Sequence, residues 1–273
     1  MGNIFTRYID RIRGSGDAAI TLRLLEGALR PNNGFVVAFL VASAVGPDNL
    51  VRHDGRILFS SGAELRALGA DGVTEVVSTA AGPITFLASD GAGALALGLD
   101  TGRIEIRGGA HDGKSFTTLG KTKITAPSAA VFGDADTLYL CLATSERTVA
   151  DWKRDLMSFG RTGSIWRLNL ATGEAARLAD GLAFPGGIAM ASTGGVFVAE
   201  SWKHRVLHIS EGGEVRVLLD ELPGYPSRLM RGAAGDLWMC IFAPRTQLIE
   251  FVLREHEYRK RMMAERAAEY WVA

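Results

Sequence analysis

Residues 182–253 read LAFPGGIAMASTGGVFVAESWKHRVLHISEGGEVRVLLDELPGYPSRLMRGAAGDLWMCIFAPRTQLIEFVL, and hold two copies of one pattern, opened by Pro185 and Pro226. After Pro185 come an apolar run, a turn at Gly194-Gly195, runs at 196–199 and 205–209, a turn at Gly212-Gly213 and a last run at 215–219. Four short strands joined by tight turns make one antiparallel sheet.

The same grammar runs backwards through the chain. Pro47, Pro83, Pro127, Pro185 and Pro226 each open a unit, spaced by 36, 44, 58 and 41 residues. A first turn follows at a nearly fixed offset: Asp54-Gly55, Asp90-Gly91, an aspartate cluster at 134–136, Gly194-Gly195 and Gly235-Asp236. Repeats of roughly 40 residues carrying four short strands are the signature of a β-propeller. The expected fold is therefore all-β: a six-bladed-type propeller of four-stranded antiparallel blades, about five of them written here, with a C-terminal helix. An irregular β-sandwich with coincidental prolines is the alternative.

Lysine plus arginine equals aspartate plus glutamate at 30 each. No global field then favours nucleic acid or an anionic membrane, and neither is expected as a partner. Cys141 and Cys240 fall in second strands of nonadjacent units, where small buried thiols are expected and a disulfide is not. The N-terminus MGNIFTRYIDRIRGSG mixes charges and lacks the apolar core of a secretory signal. The apolar run at 35–45 is too short to span a bilayer, so the expected setting is the cytoplasm.

Three segments follow. Residues 1–45 form an arm, with a short amphipathic helix at 4–12 and a strand at 35–44; residues 46–253 are the blades; residues 254–273 are a helix and tail. In unit three, residues 144–161 interrupt the pattern. Val149, Trp152 and Leu156 have helical spacing, which suits a short helix over one mouth of the ring or a neutral loop elaboration. Unit five ends on a third strand expected at 247–251. The helix expected at 253–268 carries Glu255–Arg259 and Glu257–Arg261 pairs, with Phe251, Tyr258 and Met262 on one face. Four units, part of a fifth and one arm strand do not close a six-membered ring. The gap is expected to be covered by the arm, filled by self-association, or left because the sequence is a piece of a longer one.

LAFPGGIAM…VFVAESWKHRVLHI followed by LPGYPSRLMR…GDLWMCIFAPRTQLIEFVLRE resembles the strictosidine synthase-like proteins, relatives of the gluconolactonase and paraoxonase-type propellers. The resemblance is specific over 179–255, looser over 46–60 and 127–142, and absent from the first ~40 residues. It implies six blades around a channel and a ligand site at one mouth. Metal-dependent relatives hydrolyse lactones, aryl esters or phosphotriesters; strictosidine synthase condenses an amine and an aldehyde without metal.

The Ca²⁺ site of the metal-dependent relatives uses a first-blade glutamate, an asparagine and an Asp-Asn pair, the oxygen cluster a hard cation needs. Here the resemblance puts Asp48, followed by Asn49, at the glutamate. Gly186-Gly187 stand at the asparagine step, and Ser227-Arg228 at the Asp-Asn pair. Arg228 places a positive charge where the cation would sit, so no metal and no cofactor is expected. The final-blade glutamate that serves strictosidine synthase as acid/base has no counterpart.

No G-x-S-x-G, H-E-x-x-H, P-loop or paired C-x-x-C occurs. His204 and His208 have the spacing that puts two strand residues on one face, as a metal pair or as two surface histidines. Glu200 ends a second strand at a blade's rim, suited to general-base work or to bonding neighbouring turn donors. Asp48 and Arg228 are expected to pair at the mouth, fixing a substrate or plugging the channel. Trp202 reads as blade packing or part of a ligand wall. The candidate catalytic residues are thus Glu200 and Asp48, and the candidate substrate-binding residues Arg228, Asn49, Ser227 and Trp202. The leading expectation is an ester or lactone hydrolase acting on a small molecule at the channel mouth. The alternatives are a non-catalytic propeller binding a ligand or protein, a carbon–nitrogen lyase or condensing enzyme, and a truncated inactive fragment.

Overall fold

The computed structural model describes residues 36–272. Within it, the prolines open innermost strands, where a missing N–H is tolerated at or near the first residue. The first blade is β1 (Pro47–His53), β2 (Arg56–Ser61), β3 (Glu64–Leu68) and β4 (Thr74–Thr79); the second is β5 (Ile84–Ser89), β6 (Leu95–Leu99), β7 (Arg103–Arg107) and β8 (Ser115–Phe116). A small hairpin, β9 (Thr118–Leu119) with β10 (Thr122–Lys123), leads to the third blade: β11 (Pro127–Phe132), β12 (Thr137–Leu142), β13 (Gly163–Asn169) and β14 (Ala175–Leu182). The fourth is β15 (Pro185–Met190), β16 (Val196–Glu200), β17 (Arg205–Ile209) and β18 (Val215–Leu219). Each of the four is a meander paired in chain order. The fifth has two paired strands, β19 (Gly224–Arg231) and β20 (Leu237–Pro244). The chain is an all-β propeller, as its sequence implies. The turn chemistry also holds: Asp54 and Gly55 both have positive φ between the paired His53 and Arg56, the twist a two-residue hairpin requires.

Four of the core clusters are blade–blade interfaces. Leu58, Leu65 and Ala67 of the first blade meet Leu95, Leu97 and Leu99 of the second. The opposite face of β6, with Ala96, joins Ile104 and Ile106 against Leu138, Leu140 and Trp166 of the third. The period-2 alternation thus serves two interfaces, which is why β6 is buried along its whole length. Tyr139, Cys141 and Ile165 continue against Ile188, Val198 and Leu207, and Ala189, Ala199 and Val206 against Leu229.

Four expectations change. Residues 247–251 are not a strand: Thr246 accepts from the Ile249 N–H and caps helix α2 (Gln247–Arg254). The chain breaks at Glu255 and resumes as α3 (His256–Glu265), and among the described residues neither expected carboxylate–arginine pair forms. Arg259 instead donates to the Leu253 carbonyl, and Arg261 pairs with Glu265. Residues 36–44 carry no strand, and the expected arm helix lies outside the described residues. Cys240 is exposed; both cysteines are free. The insertion does hold a helix, α1 (Trp152–Met157). Among the described residues no helix is long and apolar enough to cross a membrane.

At Gly187 an added Cβ would stand 1.9 Å from the Ser227 carbonyl oxygen, because β15 and β19 approach most closely there. Gly187→Ala is expected to wedge these blades apart and to lower stability at least as much as Leu97→Ala. That core truncation itself should cost ~2–5 kcal/mol. Denaturant melts of the two variants check the ranking.

Candidate functional site

Every innermost strand breaks register near its start. The shifts fall between Asp48 and Val51, Ile84 and Phe86, Pro127 and Ala129, Pro185 and Gly187, and Pro226 and Leu229. The displaced residues are Asn49, Thr85, Ser128, Gly186 and, in the fifth blade, Ser227 and Arg228. A bulge re-aims what its residue carries, and here it does so in two directions.

Sideways, the displaced side chains tie each blade to the next. Asn49 Nδ2 donates to the Ile84 carbonyl at 3.2 Å, Thr85 Oγ1 to that of Pro127, and Ser128 Oγ to that of Pro185 at 2.6 Å. Gly186 has no side chain, and Ser201, just beyond β16, replaces it by donating to the Pro226 carbonyl at 2.6 Å. Inward, oxygens of the first four blades converge on Arg228. Its Nη1 donates to the carbonyls of Ser128 (2.6 Å) and Gly186 (3.2 Å). Its Nη2 donates to Asp48 Oδ2 (3.2 Å), Asn49 Oδ1 (2.6 Å) and the Thr85 carbonyl (3.0 Å). One guanidinium therefore binds all four preceding blades at the channel axis. Its side chain remains 34 % exposed and that of Asp48 59 % exposed. The expected Asp48–Arg228 pair is present, and Asn49 joins it.

The oxygens that would face a family-type Ca²⁺ are engaged by the Arg228 guanidinium. Among the described residues no group of three or more His, Cys, Asp or Glu is placed to hold a metal. His204 and His208 do not share a face. His204 is a left-handed residue ahead of β17, whereas His208 lies within β17 and its ring meets the Gly194 carbonyl.

The remaining sequence candidates are held by neighbours. Glu200 is buried; one oxygen accepts the Ala183 N–H (2.8 Å), the other the Arg205 Nε–H (2.6 Å). Ser227 Oγ donates to the Cys240 carbonyl. Trp202 stacks on Phe184 at 4.4 Å and donates Nε1–H to Asp155 Oδ1.

Above the mouth, the insertion and the C-terminal helices form one cap. Asp100 of the second blade accepts the Val149 and Ala150 N–H groups, and Trp152 reaches Trp202 and Phe242 of the fourth and fifth blades. Leu156 and Met157 of α1 pack with Val252, Leu253, Trp271 and Val272. Beneath this cap lie three polar residues that sequence reasoning did not place here. Asp155 is buried, its Oδ2 lacks a hydrogen bond, and burial raises its pKa. Tyr225 is buried, its hydroxyl equally unpaired, and burial pushes its pKa up to about 12. His204 rests on the Tyr225 ring at 4.6 Å; burial, then Arg245, lowers its pKa to about 4. A cleft of about 650 Å³ between the third and fourth blades, lined by Asp134, Tyr139, Arg167, Glu174 and Glu211, opens at the opposite end from Arg228 and contains none of the candidates.

No family model matches the chain, and no characterised protein sequence does. Among solved structures it is similar to a protein described as a gluconolactonase, with a TM-score of 0.56 at 15% identity, covering 72% of this chain and 73% of that one. It is also similar to a streptogramin B lyase (0.50, 18%, 72% and 62%) and to virginiamycin B lyase from Staphylococcus aureus (0.52, 15%, 72% and 64%). The chain spans less than two thirds of each lyase. At these identities the likeness is one of fold, that of a β-propeller.

Arg228→Met leaves five inward oxygens without their cation and should lower stability by about 3 kcal/mol, whereas Asp48→Asn, at an exposed pair, should cost under about 1 kcal/mol. Added Ca²⁺ should not raise the melting temperature of the wild type. For His204, the folded pKa near 4 lies below its ordinary 6.5, so the unfolded chain takes up the proton first. Stability should fall as pH drops from 6.5 towards 4. Melting temperatures across that window should flatten in His204→Asn.

Proposed function

We propose that the chain hydrolyses an ester or lactone at the mouth that Arg228 floors, without a metal ion. The observation that supports this is a half-exposed guanidinium, immobilised by oxygens from four blades, beside an exposed carboxylate. Among the described residues its Nε–H has no hydrogen-bond partner, so one donor and the positive charge are in place before substrate arrives. Asp48 takes a proton from water and the hydroxide attacks the carbonyl carbon. Arg228 stabilises the oxyanion. The carbon–oxygen bond to the leaving alcohol then breaks and Asp48 returns the proton to it, giving acid plus alcohol, or one hydroxy acid from a lactone. Asn49 and Ser227 hold the floor. Asp48 also accepts the Asn49 N–H and Arg228 but stays open to water, whereas Glu200 is buried between the Ala183 N–H and Arg205 and supports the rim.

A second reading, ligand binding without turnover, is favoured by how fully the polar groups satisfy one another. Aryl acetates and lactones assayed with a chelator present decide between them. Asp48→Asn is expected to lower kcat/KM about 100-fold with the fold intact. Glu200→Gln should lower the melting temperature and leave the folded enzyme's turnover near wild type. Unchanged turnover in Asp48→Asn sinks the site assignment. No turnover in the wild type, with ligand-induced stabilisation retained, selects the binding reading.

A further inference from the structure

A strand with one open edge and an unpaired segment lie on either side of the first blade–fifth blade gap. On one side, β20 pairs with β19 along one edge, and the described chain leaves it for α2 instead of a third strand. Trp238 and Phe242 on it are 63% and 54% exposed, and Ile241 is exposed beside them. On the other side, residues 36–45 read VVAFLVASAV, rich in β-branched and aromatic residues, yet among the described residues they have no ladder partner. Phe39 and Leu40 are 94% and 84% exposed. The segment is fastened at its end, where the Val45 carbonyl accepts Ser61 Oγ, and passes Gly72 at the Val41 carbonyl.

An unpaired edge strand and an unpaired extended apolar segment each carry the group the other lacks: open N–H and C=O rows, and apolar side chains in water. The lengths agree, at eight residues in β20 and ten in the segment. Yet the segment stays on the first blade, so within one molecule the two do not meet.

We propose that residues 36–45 of one copy add as a strand to the free edge of β20 in a second copy, so that the protein self-associates by exchanging this arm. The fifth blade gains its third strand from the partner, as peptide ligands extend sheet edges elsewhere. Reciprocal exchange satisfies two arms and two edges at once and closes on a twofold dimer.

The test uses the native thiol. Cys240 is exposed on β20, whereas Cys141 is buried. Single cysteines at Val37, Phe39 and Val41 are introduced into the full chain and treated with a short bis-maleimide, alongside light scattering of the untreated protein. The expected result is a dimer in solution and an intermolecular cross-link that disappears when Cys240→Ser is added. Phe39→Asp with Leu40→Asp should weaken dimerisation at least tenfold while leaving the melting temperature at monomer concentrations unchanged, since both side chains are exposed. An intramolecular cross-link between arm and Cys240 overturns the proposal in favour of closure within one copy. A monomer without cross-link, or a dimer indifferent to the arm substitutions, overturns it as well.

Discussion

The structure turns on a charge-balance problem at the channel axis. Bulges in the innermost strands turn three backbone carbonyls, an amide oxygen and a carboxylate towards one point. Oxygens so arranged repel one another in a medium of low dielectric and need a cation among them. A metal ion would meet that need only as far as its concentration allowed. Arg228 meets it permanently, because it is covalently part of β19. Its planar fork of donors reaches acceptors on opposite sides of the axis, which a lysine's point charge would not. The fifth blade, incomplete as a sheet, thus becomes the one that fixes the positions of the other four.

How much of this was legible depends on what each residue needed. The prolines and glycine turns are local signals, and they gave the blade order and the strand limits closely. The Asp48–Arg228 pair was also readable, because the family resemblance put both at the channel mouth. The blade-to-blade hydrogen bonds of the bulged residues were not, since those residues occupy equivalent places by geometry and not by count: Asn49 and Thr85 stand two residues past their prolines, Ser128 and Gly186 one. The unit-five helix was missed because QLIEFVLR satisfies both periods over its short span; Thr246 as an N-cap was the signal that separates them. Residues 36–44 have strand composition and no strand. Composition supplies one half of a ladder, and the partner is not in the local sequence.

Glu200 and Asp155 show why residue type alone does not assign chemistry. Both are acidic and buried near the mouth. Glu200 has an arginine and a backbone N–H within 2.8 Å, so its charge is matched and its lone pairs are used. Asp155 has Trp202 on one oxygen and no hydrogen bond on the other, with Arg147 at 3.9 Å. The first behaves as a strut between the third and fourth blades. The second, on the buried side of α1, has its pKa raised by burial against the lowering pull of Trp202, Thr144 and Arg147.

The floor of the mouth also constrains what can bind there. Arg228 carries one positive charge and Asp48 one negative, while the carbonyl dipoles add their negative ends. A free anion gains little from such a floor, since the cation is already matched and the remaining partial charges repel it. A free cation finds the oxygens engaged. A neutral carbonyl group meets neither penalty at rest, and as it becomes an oxyanion its new charge forms beside the one donor, Nε–H, that the network has not taken. On the hydrolytic reading proposed above, the same balance that holds the blades together would favour the transition state of acyl transfer over charged ground states, which is the condition for catalysis by differential binding.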